Sequence, residues 1–423
     1  MSTTRAGWLT PCRAALDNGV VGLAQWNPTS PVVAINATFD AGSAGDPPDL
    51  PGTAYLVRRT IDRGTANRTA GEIADLLDDR GVSIWTSVSR HTFSISCLCL
   101  SEDFPDLLHL IADIARVPAF PVDEIDKRRI QAITSLREGQ DDPATVAVDL
   151  LHEDLYGAGH PYGRNVKGTV AGLEAIRRQD LAAYHSRLLV PAALRVAIVG
   201  DVEAEGALDE VARAFGGWQG ASRPLDSIPA HSARRMRFLR RHDMPGKVQT
   251  DIAYGFTAVR RMDPRFYAFW MMNNVLGQFG LGGRLAESIR EREGMAYYAY
   301  STLDAMVGGG PLIVRAGVDP ANVNRAIEAI DHEVRAFGLA GPTLEELEDT
   351  RSSLIGSIPR MLESNESIAE FLLHTELFGL GLDYDRRLPA LLRAVTIDDV
   401  REAAAEVLRV DRAAIVVAGP SAA

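Results

Sequence analysis

The chain has 423 residues, which at roughly 100–200 residues per domain calls for two to four domains. Hydrophobic residues make up 46% and charged residues 24%, the profile of a globular protein. The net charge of −12 argues against a nucleic-acid partner, which demands a basic face, and against an anionic membrane surface.

Taken from the N-terminus, hydrophobic periodicity predicts a strand over 32–39, helices over 52–63 and 70–80, and a broken strand over 83–100. Helices follow over 104–116, 122–138, 144–156 and 178–188, then a strand over 194–199. Beyond residue 247 come a strand over 248–256, helices over 264–276 and 281–293, and strands over 295–303 and 311–318. Helices over 322–337, 343–362, 367–378 and 397–408 and a strand over 413–418 complete the pattern. Strands cluster locally and are separated by runs of helices. That favours an α+β sandwich over a doubly wound parallel sheet.

The chain repeats itself. LLHEDLYGAG at 150–159 returns as LLHTELFGLG at 372–381, an offset of 222 with six of ten positions identical. VDEI at 122–125 answers LEEL at 344–347, and AIRRQDL at 175–181 answers AVTIDDV at 394–400. LRVAIVGD around Ala197 answers RAAIVVAGP around Ala414. Order and spacing are kept, so two homologous domains are expected, 1–220 and 247–423, joined by a linker over 221–246 rich in Gly, Pro and Ser. The arginines Arg234, Arg235, Arg237, Arg240 and Arg241 in that linker read as a solvated strand edge or a set of ion pairs.

Cys12, Cys97 and Cys99 are too few for a disulfide framework; Cys97 and Cys99 share one strand face as small apolar residues. No apolar run approaches the ~20 residues that span a bilayer, and the first residues lack an apolar core of signal-peptide length. Cytoplasm is the expected compartment, with no membrane partner.

Local motifs carry little chemistry. No two of the nine histidines stand four apart on a helix, as a zincin site needs, and no Cys-x-x-Cys exists. His152 and His374 occupy the same repeat position, which favours a structural role. The glycine-rich GQFGLGGRL, with Gly277, Gly280, Gly282 and Gly283, lacks the ending of a phosphate loop and reads as a turn admitting close backbone approach. Further on, a helix ends at Gly294, a residue suited to a left-handed cap. Arg290 lies in its last turn, where a cation complements the helix dipole. Tyr297 opens the next strand.

Taken together, these residues resemble the M16 (pitrilysin/insulinase-type) metallopeptidases, above all the short, two-domain subunits of the mitochondrial-processing-peptidase kind. LDNGVVGLAQ (16–25), DAGS (40–43), HPYGR (160–164), IVGDV (198–202), GRL (283–285) and IREREGMAY (289–297) follow the family's order over nearly the whole chain. The resemblance implies two similar α+β halves per subunit, with two subunits closing as a clamshell around a peptide chamber. It also implies His-x-x-Glu-His on the helix after DAGS. Here that helix reads GTAYLVRRT from Gly52: Tyr55 and Arg59 stand where the zinc histidines belong, and Arg58 where the general base belongs. Counting back from AVDLLH places the distal zinc ligand at Ser135, one turn from Glu138.

Zinc needs deprotonated donors and a carboxylate to activate its water. Arginine supplies neither. No metal or cofactor is therefore expected in this chain, and any zinc is expected in a partner. Within the family an arginine and a tyrosine of the C-terminal half face the zinc site, and Arg290 and Tyr297 match that pair in type, spacing and flanks. The resemblance thus implies a non-catalytic subunit of a heterodimer whose partner carries an intact His-x-x-Glu-His, acting on peptides. The alternatives are a structural or peptide-holding homologue outside any peptidase, and an enzyme of different chemistry.

Overall fold

The computed structural model describes residues 8–220, 228–231, 235–278 and 283–420. Gly280, Gly282 and Arg234, and most of the expected linker before residue 235, lie outside the described residues. Two compact units divide the chain, and both are α+β as expected.

Unit 1 holds residues 1–136, 165–227 and 357–387. Its sheet has six strands: β1 (Cys12–Ala15), β2 (Val21–Trp26), β3 (Val32–Phe39), β4 (Ile84–Val88), β5 (Phe93–Leu100) and β6 (Leu194–Gly200). Their order is β1-β2-β6-β3-β5-β4. Only β2 and β6 run parallel. The apolar stripe Leu107, Leu108, Ile111 and Ile114 of helix Phe104–Arg116 is buried with Ile35, Phe39 and Ile95 of the sheet in one core. The predicted strand over 83–100 breaks at residues 89–92, where Ser89 turns the chain into the β4–β5 hairpin.

Unit 2 holds residues 137–164, 228–356 and 388–423. Its sheet comprises β7 (Phe238–Asp243), β8 (Thr250–Thr257), β9 (Ala296–Leu303), β10 (Pro311–Val318) and β11 (Ala414–Gly419), in the order β7-β11-β8-β10-β9. Here β7 and β11 are the parallel pair. Order and direction reproduce β2-β6-β3-β5-β4, so the sequence repeat is a repeat of topology.

Neither unit is a contiguous half of the chain. Helix Asn365–Leu377, from the second repeat, packs on β3 and β6, while helix Pro143–Tyr156, from the first, packs on β8 and β11. Gly255 makes room for the second of these: a Cβ there would lie 2.8 Å from Leu151 Cδ2. The expected linker 221–246 also carries β7, because alignment beside β11 satisfies one edge of its backbone although Arg240, Arg241, His242 and Asp243 are polar.

A repeated clamp shows how deep the duplication runs. Arg129 donates from Nε to the Leu173 carbonyl (3.0 Å) and from Nη2 to that of Ile176 (2.9 Å), and pairs with Asp126. Arg351, 222 residues on, donates to the carbonyls of Leu392 (3.3 Å) and Val395 (2.7 Å) and pairs with Glu348. Each arginine satisfies carbonyls that a short helix leaves open at its C-terminal end. No described helix is long and apolar enough to cross a membrane.

Candidate functional site

In unit 1 the helix Thr53–Thr60 carries three of the four residues at the expected zinc positions. Its start is fixed by Asp46, whose buried carboxylate accepts from the Gly52 N–H (Oδ2, 2.8 Å) and the Ala54 N–H (Oδ1, 2.8 Å). An anion at that end complements the helix dipole. Gly52 adopts φ +101°, and a Cβ there would lie 2.8 Å from the Lys167 carbonyl oxygen, so the entry turn requires glycine.

Tyr55 is buried at 7% exposure and lies between two guanidinium groups, with Arg58 Cζ 5.8 Å and Arg59 Cζ 5.7 Å from its ring centre. Arg59 donates to the Tyr55 hydroxyl (3.3 Å) and to Gln131 Oε1 (2.9 Å). Arg58 turns to the sheet edge: its Nε donates to the Thr86 carbonyl of β4 (2.8 Å), and the Thr86 hydroxyl donates back to the Arg58 carbonyl (3.0 Å). Ser135 lies one turn beyond Gln131 on helix Val122–Gln140 and accepts from Lys167 Nζ (3.1 Å). Arg128 reaches the same Gln131 oxygen (3.0 Å). Glu138 is solvent-exposed.

The sequence reading overlooked one carboxylate near this cluster. Asp62 is largely buried, pairs with Arg63 (3.1 Å) and has Oδ1 without a hydrogen bond. Burial raises its pKa, and Arg63, Arg128 and Arg58 pull it back. It serves the cluster as counter-charge. Four positions furnished by a phenol, a serine hydroxyl and two guanidinium groups do not fit a zinc ion, because a guanidinium excludes a cation instead of ligating it. Among the described residues, no group of three or more His, Cys, Asp and Glu side chains is placed to hold a metal ion.

Unit 2 carries Arg290 and Tyr297 on either side of one turn. Helix Ala286–Arg292, wound with wide π-type turns, ends where Gly294 takes φ +60°, the left-handed cap expected there. The Gly294 N–H bonds to the Arg290 carbonyl and the Met295 N–H to that of Ile289, both at 3.1 Å. Tyr297 occupies a bulge of β9. Ala296 pairs with Val318 and Tyr298 with Gly317, which leaves Tyr297 as the extra residue on an edge strand. The bulge turns it outward, to 74% exposure. Arg290 is part-exposed and meets Glu291 at 3.4 Å. Two hydrogen-bond donors thus stand open to solvent beside one turn, anchored by the buried Ile289 and Met295.

Behind Tyr297 lies a group the sequence reading also missed. The Tyr298 hydroxyl donates to Asp251 Oδ1, and Gln249 donates to Oδ2 (3.1 Å). Burial raises the Asp251 pKa and likewise the Tyr298 pKa. Gly277 and Gly283 admit close backbone approach, as expected. A Cβ on Gly277 would lie 2.7 Å from the Ser301 nitrogen, and one on Gly283 2.7 Å from Gly277 Cα.

Comparison with known proteins agrees with this fold. Residues 22–169 match the family model described as Insulinase (Peptidase family M16), and residues 175–354 match that of the Peptidase M16 inactive domain. An uncharacterized zinc protease, YmxG, of Bacillus subtilis is 25% identical over 360 residues, 84% of this chain and 85% of that protein. A protein of Helicobacter pylori named non-peptidase homolog YmxG is 21% identical over 384 residues, 88% of this chain and 85% of that one. In fold, the chain is similar to a crystal structure of a peptidase M16 inactive domain from Pseudomonas fluorescens. The TM-score is 0.91 at 24% identity, with 98% of this chain and 99% of that one covered. The chain belongs to the M16 peptidase family.

Proposed function

We propose that this chain is the zinc-less subunit of a heterodimeric M16-type metallopeptidase of the cytoplasm. In that assembly it forms half of the peptide chamber and supplies Arg290 and Tyr297 to the bound peptide. One observation carries the reading: the two halves have diverged in opposite senses. The helix at the zinc-site positions is filled by Tyr55, Arg58 and Arg59 bonded to their surroundings, whereas Arg290 and Tyr297 stay accessible beside the turn at Gly294. Guanidinium N–H and phenolic O–H groups donate to a peptide carbonyl and strengthen as negative charge grows on its oxygen. Zinc and its activated water belong to the partner, an M16 chain with an intact His-x-x-Glu-His. The inactive-domain model matches residues 175–354, the half that carries Arg290 and Tyr297, and the three free cysteines fit a reducing compartment.

A second reading, a structural or peptide-holding homologue without peptidase activity in any complex, is favoured by the non-peptidase name of the Helicobacter pylori relative. Reconstitution separates the two. The first expects cleavage of a fluorogenic peptide only when this chain and the intact-motif chain of the same organism are mixed. An inactive mixture supports the second.

A further inference from the structure

The duplication lets each sheet show what the other lacks. In unit 1, β2 lies beside β6, and its outer edge is covered by β1 in the register Cys12↔Ala24 to Ala15↔Val21. Gly22, Leu23 and Ala24 of β2 are buried. In unit 2, β7 takes the place of β2 beside β11, from Phe238↔Ala414 to Asp243↔Gly419. Residues 229–231 stand ahead of β7 as β1 stands ahead of β2, but they are held elsewhere. His160 Nδ1 accepts from the Tyr162 N–H (3.0 Å), so Nε2 carries the proton and donates to the Pro229 carbonyl (3.0 Å). The His231 ring lies 5.0 Å from that of Tyr156.

Among the described residues no strand stands outside β7, and five of its six residues are exposed. The Phe238 N–H bonds to the Ala413 carbonyl (2.9 Å) and the Met244 N–H to that of Gly419 (2.8 Å). That alternation turns the backbone N–H and C=O groups of Leu239 and Arg241 to the outer side. Met236 (74% exposed) and Leu239 (43%) add apolar surface there. Charged residues alone would guard an edge strand against pairing; exposed apolar residues beside them do the reverse.

We propose that the outer edge of β7 docks an extended strand of a second, different polypeptide, with apolar side chains against Met236 and Leu239 and a carboxylate against Arg241. The occupant is the partner subunit of the heterodimer, so the inference rests on the function proposed above. A second copy of this chain fits less well. Antiparallel self-pairing must match outward residues with outward residues, so a register over most of β7 centres on Arg240 or Arg241 and sets that arginine against its own copy. Among the described residues Arg241 has only the neutral Asn324 oxygen (2.8 Å) as its hydrogen-bond partner, which leaves its charge for an incoming carboxylate.

The test uses the full chain and the intact-motif M16 chain of the same organism. Leu239→Pro removes an outward N–H and leaves the bonds to β11 in place. Arg241→Glu reverses the charge, and Arg241→Lys keeps it. Light scattering and titration are expected to show a heterodimer weakened about tenfold or more by Leu239→Pro and by Arg241→Glu, and little changed by Arg241→Lys. The amides of Leu239 and Arg241 are expected to exchange fast in the isolated chain and slowly in the complex. Unchanged affinity in both variants overturns the proposal, as does slow exchange in the isolated chain, a homodimer broken by Leu239→Pro, or no complex at all. If Leu239→Pro fails to fold, the Arg241 pair and amide exchange still decide. Assembly is read from mass and the catalytic proposal from peptide cleavage. A β7-dependent complex without cleavage therefore upholds the docking and refutes the function, and an active complex indifferent to β7 does the opposite.

Discussion

Asp46→Ala is expected to release the helix that carries Tyr55, Arg58 and Arg59. Its carboxylate accepts two backbone N–H groups, Gly52 and Ala54, each at 2.8 Å, and is itself buried. Alanine leaves both donors unpaired, at about 1–3 kcal/mol each. It also removes an anion from a helix N-terminus, about 0.3–1 kcal/mol. The sum is about 2–7 kcal/mol. Asp46→Asn keeps one acceptor oxygen and loses the charge, and should cost about half as much. Urea unfolding of both variants gives the order wild type, Asn, Ala, with amide exchange at Val57 and Arg58 rising in parallel. A loss below about 1 kcal/mol for Asp46→Ala, or equal losses for Asn and Ala, refutes this account of how the helix is held.

Three further predictions follow from the same geometry. In the reconstituted peptidase, Arg290→Ala is expected to lower kcat by about 10²–10³ and Tyr297→Phe by less, with the thermal midpoint unchanged because both side chains reach solvent; an equal loss in KM alone contradicts a role at the developing oxyanion. Arg129→Ala and Arg351→Ala each remove two charge-assisted bonds to carbonyls and should each cost about 2–4 kcal/mol by urea unfolding, whereas a loss confined to one denies the equivalence of the clamps. Burial raises the Asp62 pKa, so in the range just above 3.8 the folded chain keeps a proton the unfolded chain has released. Stability from this group is therefore present at low pH and lost as pH rises through the raised value. The thermal midpoint of Asp62→Asn relative to wild type should climb as pH rises from about 4 through the raised value, and a flat difference rules the shift out.

Much of the fold was legible because it was written twice. The repeat at 150–159 and 372–381, and helices beginning near Val122 and Leu344, give two α+β units without any structure. Which sheet each repeated helix covers was not legible, since helix Pro143–Tyr156 would read the same on either sheet. Gly255, whose missing Cβ admits Leu151, is the one local trace. Strand β7 hid behind its charges, Arg240, Arg241 and Asp243, whose hydrophilicity outweighs a strand pattern on an exposed edge. Helix Ala204–Phe215 was missed although Ala207, Leu208, Val211, Ala214 and Phe215 recur at helical spacing; Gly206 in its first turn weakens the helix signal. Arg290, Tyr297 and the lost zinc positions were found through a family resemblance that spans the chain. Asp46 and Asp62 belong to no motif: their importance lies in burial and in the N–H and guanidinium groups around them, which only folding brings together.

Zinc content and peptide cleavage, measured on this chain alone and again with the intact-motif partner, test the central claim most directly. The account predicts no bound zinc and no cleavage by the isolated chain, and about one zinc per heterodimer with cleavage that Arg290→Ala suppresses. Stoichiometric zinc in the isolated chain, lost on substitution of Tyr55 or Ser135, contradicts it.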